Sequence, residues 1–478
     1  MPSASTALLT APVLSRRSVL KGLTAVPLVT VATAVTSSAD VTFVQPGDAA
    51  YAQHRQVFNK RIRLQPAVIA VCKTEAGVQS AVTYARERQL PIAIKSGGHG
   101  FEGYALNERG LVIDLSAMRQ IVLSTDQQLT VEPGCTLAPL YDYLLPRGRL
   151  LPTGSCGGVG LAGLTLGGGY GFFSRQYGLT CDSLTRVRLV DAQGMLHDSQ
   201  ESPDLLWACR GGGNGHFGIV TRLHLQTHPA PATFYSTRFK YTKRTPTSAA
   251  MVVARWFALT PGLPADAFSA CIISGTTVTV LVTSFQTSPD HKAMAEVLST
   301  FRQGAEPAAT TQRTPLTQAV KRYYGRQGPL YFKNVSAGFY RGFDDLQAIF
   351  QDIVQRIAVQ PGMLLQINTF GGTSAMHPTP PPSAFPHRAY PFLGELQYYW
   401  DNSAHETAAM TAVQGIQRLL TQHGIRAHYS NYPDSALPNW AEAYYGRESY
   451  PRLQMLKKRY DPENHIQHPQ SVRLPTGT

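Results

Sequence analysis

Short apolar runs open the chain and are spaced by one helical pattern. Ala67 to Val71 is a continuous apolar run of strand length. Thr74 to Gln89 spaces its apolar residues with helical period, with Thr74 as N-cap and Glu75 in the first turn, and Ile92 to Lys95 is the next strand. Leu111 to Leu115 and Gln128 to Val131 continue as strands, and Leu137 to Leu145 reads as a short helix. Leu184 to Val190 is a further strand, followed by a turn at Asp191 to Gly194 and then Asp204 to Arg210. The Pro-rich stretch Thr227 to Pro231 marks a boundary. Beyond it, strands at Val278 to Phe285, Leu364 to Asn368 and Leu393 to Tyr399 alternate with helices at Ser248 to Ala258, Asp290 to Phe301, Asp344 to Ala358 and His405 to Gln422. Met376 to Pro386 holds five prolines, too stiff for a helix, and reads as a wall or lid over the sheet. The order predicts an α+β fold.

Composition changes this picture little. With 478 residues, 43% apolar and 15% charged, the chain has material for a large core. The net charge of +13 includes Arg16, Arg17 and Lys21 of a leader, and no block of five like charges or aromatic-interleaved basic run follows it. A solvated basic surface accounts for the charge, and no nucleic-acid role is expected. Ser15-Arg16-Arg17-Ser18-Val19-Leu20-Lys21, the mildly apolar Gly22 to Val35 and the small residues Ser37-Ser38-Ala39 resemble a twin-arginine export signal over residues 1–39. The run is too short and threonine-rich for a membrane span. The expectation is a periplasmic or secreted bacterial protein, off the membrane once the signal is removed and a monomer or weak dimer. The six cysteines form no Cys-x-x-Cys pair, and no metal site is expected. Five of them read as small packing residues.

Candidate chemistry concentrates in two glycine-rich loops. Lys95-Ser96-Gly97-Gly98-His99-Gly100 follows a strand, and Gly154-Ser155-Cys156-Gly157-Gly158-Val159-Gly160 runs into Leu161-Ala162-Gly163-Leu164-Thr165-Leu166-Gly167-Gly168-Gly169-Tyr170-Gly171. Glycine at this density suits backbone that must approach a phosphate or a flat ring closely. Gly158 to Gly163 fits G-x-G-x-x-G literally but follows Pro152-Thr153-Gly154-Ser155 rather than an apolar strand, so no dinucleotide fold is expected there.

These motifs resemble the berberine-bridge-enzyme-like, FAD-linked oxidases of the vanillyl-alcohol oxidase superfamily. The similarity runs from about residue 45 to the C-terminus and is weakest between about 235 and 375. It implies FAD bound covalently through His99, at the 8α carbon, and Cys156, at C6. It also implies a PCMH-type FAD-binding domain from residues 45–230 with 426–478, and a substrate domain, 231–425, built on an antiparallel sheet covered by helices. Lys95, Ser96, Gly97, Gly98, Gly100, Gly154, Ser155, Val159, Gly160, Gly163, Gly218, Ile219, Val220 and Asn464 are implied as further cofactor contacts. A thiolate at Cys156 is expected to draw on the surrounding glycine N–H groups. Valine at 159 resembles the family's oxidase pattern, in which dioxygen reaches the reduced flavin.

For proton transfer, Glu395, Gln397 and Tyr399 share one face of a strand. Glu395 stands where the alkaloid-oxidising prototype has its glutamate base, and Asn431-Tyr432-Pro433-Asp434 matches the family's Asn-Tyr-x-Asp. A tyrosine near pKa ~10 needs a fall of about three units, or about 4 kcal/mol, to act near neutrality, whereas a carboxylate near ~4.3 needs none. Leu393 stands where plant-alcohol oxidases carry lysine, and Asn368 where sugar oxidases carry aspartate. Glu395 is therefore the expected base with Tyr432 as partner, and Tyr170 and Gln397 face the substrate. The C-terminal motif departs from the family at Arg447-Glu448-Ser449 and at Ile466.

The resemblance implies an oxidase of secondary-metabolite or phenolic alcohols with dioxygen as acceptor. Oligosaccharide oxidation, amine or alkaloid oxidative cyclisation, and a dehydrogenase using another acceptor stand as alternatives.

Overall fold

The structure, a computed structural model, describes residues 38–306, 309–326, 328–371 and 381–476. All belong to the packed unit Ser37–Thr478. The twin-arginine motif and its apolar segment lie outside the described residues, as do residues 376–380 of the proline-rich stretch.

The first sheet has strand order Val41–Val44, Val68–Cys72, Leu111–Asp114, Ile92–Lys95, with the last three strands parallel. Val68–Cys72 is buried along its whole length, as a parallel strand covered on both faces must be. The helix Glu75–Glu87 starts where Thr74 accepts a hydrogen bond from the Gly77 N–H, and it buries Val78, Ala81, Val82 and Ala85 as one stripe. A second sheet, all antiparallel, runs Ile121–Leu123, Gln128–Val131, Ile219–Gln226, Leu184–Val190, Leu196–Asp198.

The third sheet has seven antiparallel strands in the order Gln312–Pro315, Thr233–Tyr241, Thr277–Ser284, Phe268–Ser274, Met363–Thr369, Phe392–Trp400, Tyr331–Tyr340. Alternation along its strands separates two faces. One carries Phe239, Ile273, Val280, Val335, Leu365 and Leu396 into a core with the helices Pro246–Leu259, Lys292–Arg302, Phe350–Ala358 and Glu406–Gln422. The other carries the candidate catalytic residues. The helix read over Asp344 to Ala358 is two segments, Asp344–Gln347 and Phe350–Ala358. The sequence pattern misses Thr233–Tyr241, Phe268–Ser274 and Tyr331–Tyr340, the last because buried polar residues interrupt its apolar text.

The open edge of Tyr331–Tyr340 is closed by the loop that carries Tyr432: Ser336 N–H donates to the Tyr432 carbonyl and Phe339 N–H to that of Ala427. Lys333, on the same strand, is buried with two carboxylates. Its Nζ contacts Glu102 and lies 2.9 Å from Asp434 Oδ1, and Arg61 completes the cluster 2.6 Å from Glu102. Burial acts to raise the Asp434 pKa, but the charge and hydrogen bond of Lys333 outweigh it and hold the carboxyl below its usual range. The cluster joins the His99 loop, the third sheet and the Tyr432 loop.

The C-terminal segment returns to the first sheet, where Ile92 N–H donates to the His465 carbonyl at 2.7 Å. The buried Lys457 caps that return by bonding Asp461 and the carbonyls of His216 and Ile466.

Replacing Lys333 by methionine leaves Asp434 buried without a cation and Glu102 with Arg61 alone. The expected loss is about 3–5 kcal/mol of unfolding free energy in urea at neutral pH; a loss below about 1 kcal/mol would show that the cluster carries no net load.

Candidate active site

A cavity of about 600 Å³ lies among the two glycine loops, the third glycine-rich segment around Asn214 to Gly218, the C-terminal return and the polar face of the seven-stranded sheet. The loops meet backbone to backbone. A Cβ on Gly97 would lie 2.4 Å from Gly160 N, one on Gly160 2.3 Å from Ser96 Oγ, and one on Gly158 2.6 Å from His99 Nε2. Glycine at these three positions therefore serves the contact between the loops, a role the sequence assigned to ligand approach. Gly100 and Gly163 do border the cavity with nothing within 4 Å of a built Cβ.

His99 stacks on Phe58, ring centroids 4.1 Å apart, and burial lowers its pKa to about 4, so the imidazole is neutral. Cys156 is a free thiol facing the same cavity, while the other five cysteines are buried. Burial and then the charge of Glu395 raise its pKa, against a smaller opposing hydrogen bond from Ser155. The expected glycine-stabilised thiolate is thus corrected: the protein by itself keeps this sulfur protonated.

Of the other expected cofactor contacts, Ser96, Gly97, Gly98, Gly154, Ser155, Val159, Gly160, Gly218 and Val220 line the cavity. Three do not. Lys95 turns away to Asp114, 3.2 Å, and the His54 carbonyl, 2.6 Å. Ile219 is fully buried in the core beside the first sheet, and Asn464 sits in a left-handed turn with φ +54°, its amide 3.5 Å from Gln467.

The catalytic candidates converge. Gln397 Nε2 donates to Glu395 Oε2 at 2.9 Å, and the Tyr399 hydroxyl donates to Gln397 Oε1 at 3.1 Å. Tyr432 donates to the Tyr170 hydroxyl at 2.9 Å, which also accepts from Asn368 Nδ2 at 2.9 Å. Burial raises the Glu395 pKa to about 8, despite the neighbouring polar groups of Gln397, Tyr432 and Asn334, which lower it. Burial and the Glu395 charge push the phenols of Tyr170 and Tyr432 well above their usual range. The premise that a carboxylate needs no shift is therefore corrected: Glu395 is protonated at neutral pH in this setting.

Sequence reasoning missed Asn334, His216, His468 and Arg238, all on the cavity wall. Asn334 lies on the unrecognised strand, and the signal for it was the Phe332-x-Asn334 alternation. His216 lies inside the third glycine loop, where the run itself drew the attention.

The residues present fit FAD. The N–H groups of Gly97 to Gly100 donate to no acceptor among the described residues, and Gly98 has φ +68°, which turns successive amides toward one concavity suited to an anion. Asn214 Oδ1 and His216 Nδ1 are buried on the wall without partners. Ile92, Ile94, Leu115 and Val220 supply apolar surface for a flat ring. Among the described residues lining the cavity, Arg238 is the basic side chain and Glu395 the acidic one, and no group of residues that could hold a metal occurs among the described residues.

Residues 66–200 match the FAD binding domain family, and residues 428–473 the berberine and berberine-like family. Chitooligosaccharide oxidase of Gibberella zeae is 29% identical over 462 residues, 89% of this chain and 91% of that one. Aclacinomycin-N/aclacinomycin-A oxidase of Streptomyces galilaeus is 29% identical over 479 residues, 87% of each chain. The solved structure of Physcomitrella patens BBE-like 1 superposes with a TM-score of 0.83 at 25% identity, covering 91% of this chain and 98% of that one. Fold and site define an FAD-linked oxidoreductase of α+β, PCMH-type architecture. Within that class, the two matched domains and these relatives support a berberine-bridge-enzyme-like FAD-linked oxidase.

Glu395 has a measurable signature. Between about pH 4.5 and 8 the folded protein keeps a proton there that the unfolded chain has released, so this group's contribution to stability falls as pH rises through that window. The stability of Glu395→Gln relative to the parent should therefore grow across the window, by up to about 1.4 kcal/mol per pH unit. A difference in urea unfolding that stays flat from about pH 5 to about pH 9 would contradict a buried, protonated carboxyl.

Proposed function

We propose that the protein is an exported oxidase of secondary-metabolite or phenolic alcohols, holding FAD through bonds to His99 and Cys156 and using dioxygen as acceptor. The convergence of His99, Cys156 and Glu395 on one cavity carries this reading. In it, residues 45–230 and 426–478 form the cofactor-binding part and 231–425 the substrate part, and the leader over residues 1–39 directs export of the folded, loaded protein.

Bound FAD would supply a two-electron acceptor, taking a hydride from the alcohol carbon and delivering both electrons to dioxygen as hydrogen peroxide. The chain's own task is to hold the alcohol and take its hydroxyl proton. Glu395, once ionised, is the acceptor, and Tyr432 and Tyr170, linked at 2.9 Å, orient the hydroxyl beside it. A neutral His99 is the form that can bond to carbon, which supports the histidyl link. The raised thiol pKa of Cys156 calls for its proton to leave as the cofactor enters. Val159 lies on the cavity wall, and in this reading its small side chain is what would admit dioxygen. Oligosaccharide oxidation remains the second reading, supported by the carbohydrate-oxidising names among the relatives and by the amide-rich floor around Glu395.

Acid precipitation of the purified protein tests the links. Yellow colour should stay with the precipitate of the parent and of each single variant, His99→Ala or Cys156→Ala, and leave only when both are replaced; a colourless parent precipitate contradicts the covalent reading.

kcat/KM should rise about tenfold per pH unit below pH 8 and level off above it, as Glu395 ionises. Glu395→Gln should remove that limb and lower kcat by about 10²–10⁴; an unchanged acidic limb in the variant would place the base elsewhere.

A further inference from the structure

The cavity wall made by the seven-stranded sheet changes character from strand to strand. One row of cross-strand neighbours runs Asn368, Ala270, Leu281, Arg238, each opposite the next. Asn368 belongs to the polar end, where its amide donates to the Tyr170 hydroxyl at 2.9 Å. Ala270 and Leu281, packed with Phe268, Phe172 and Tyr323, make an apolar middle. Arg238, on the strand Thr233–Tyr241, closes the far end with a cation.

No described residue balances that charge. The Arg238 side chain is exposed, lines the cavity, and makes no hydrogen bond or ion pair with any described residue. Glu395 stands four strands away, roughly 19 Å between backbones, too far to pair with it in either protonation state. The strand Thr233–Tyr241 and residues 312–326 beside it add Lys240, Arg313, Lys321, Arg322 and Arg326 and contain no acidic residue. Of these, Lys321 is ion-paired, to Asp142 at 3.2 Å, and Lys240 lies outside the cavity lining. A second donor stands close by. The Tyr323 hydroxyl, from the same wall, lies 3.1 Å from Oγ of Ser236, which shares a strand face with Arg238 two residues on. Two hydroxyls bonded to each other use one hydrogen and leave the other for an acceptor outside the pair.

We propose that Arg238 binds a carboxylate at the end of the substrate remote from the hydroxyl that is oxidised, so the substrate is an elongated hydroxy acid with an apolar middle. A guanidinium presents a planar fork that fits a carboxylate through two N–H bonds. One arginine on the cavity wall, with no second cation beside it there, matches a single negative charge rather than a phosphate dianion. Three strand spacings, about 14 Å, separate the backbones of Arg238 and Asn368; with both side chains reaching over the wall, about 10 Å is left between the carboxylate and the reacting carbon. Ala270 and Leu281 cover the apolar span between them. The basic residues along this edge of the sheet draw an anion toward Arg238. Placing the reacting hydroxyl at the polar end rests on Glu395 as the proton acceptor in the function proposed above; the carboxylate contact does not.

Calorimetric titration of the flavin-loaded protein with para-phenylbenzoate and with the neutral para-phenylbenzamide tests the contact. At low ionic strength the parent should bind the carboxylate about fivefold more tightly. Arg238→Gln should bring the two dissociation constants within about twofold of each other, while Arg238→Lys, which keeps the charge, should retain a preference for the carboxylate. Lys240→Gln, which removes a neighbouring charge off the cavity, should leave the preference at about fivefold. A parent without preference, or without measurable binding of the carboxylate, overturns the proposal. So does a preference that survives Arg238→Gln, or one that Lys240→Gln removes as fully. Peroxide is assayed with the derivatives of both compounds that carry a hydroxymethyl group on the far ring. A binding preference that Arg238→Gln removes, without peroxide from the parent, supports the carboxylate site and overturns the oxidase reading alone. Peroxide from both derivatives at equal kcat/KM overturns the carboxylate site alone.

Discussion

The buried ammonium of Lys333 is the constraint on which the site's geometry rests. It comes from the seven-stranded sheet, meets Glu102 three residues beyond His99, and meets Asp434 two residues beyond Tyr432. Charges withdrawn from water in this way gain little net stability, yet each becomes expensive to expose or unpair. Their value here is positional: three segments distant in sequence are held in one arrangement. The Tyr432 loop also closes the edge of the strand that carries Lys333, so the sheet's last strand and the tyrosine beside the cavity are placed by the same backbone.

Within the cavity, burial governs charge. His99 is kept neutral, Cys156 protonated, and Glu395 protonated until the pH nears 8, all with desolvation as the largest cause. A cavity that suppresses charge on its own side chains is a low-dielectric setting, in which a proton or an electron pair that moves is felt strongly by its neighbours. The coupling between Glu395 and Cys156, which face the same space, is one expression of it.

Much of this could be read from the sequence, and the exceptions have physical reasons. The two glycine loops, with His99 and Cys156, were visible because glycine at such density has few structural uses. The alternation of Glu395, Gln397 and Tyr399 was visible because a half-polar strand repeats every two residues. Tyr331–Tyr340 was not, since both its faces are buried and one of them is polar, which erases the pattern that marks a strand. Gly97, Gly158 and Gly160 could be seen to need close approach, but what they approach is another loop, a fact that only tertiary structure holds. The pKa of Glu395 was misjudged for the same reason: composition does not say how dry a side chain will be.

The seven-stranded sheet carries its oily core and its chemical wall on opposite faces of the same strands. Slipping any strand by one position would turn the helices' apolar partners into the cavity and bury the amides and the carboxyl against them. Alignment of the strands is thus locked by the cost of misfolding, while individual cavity-facing positions stay free to change. The sheet behaves as a keyed panel, in which new specificities can arise by exchanging pegs without moving the board.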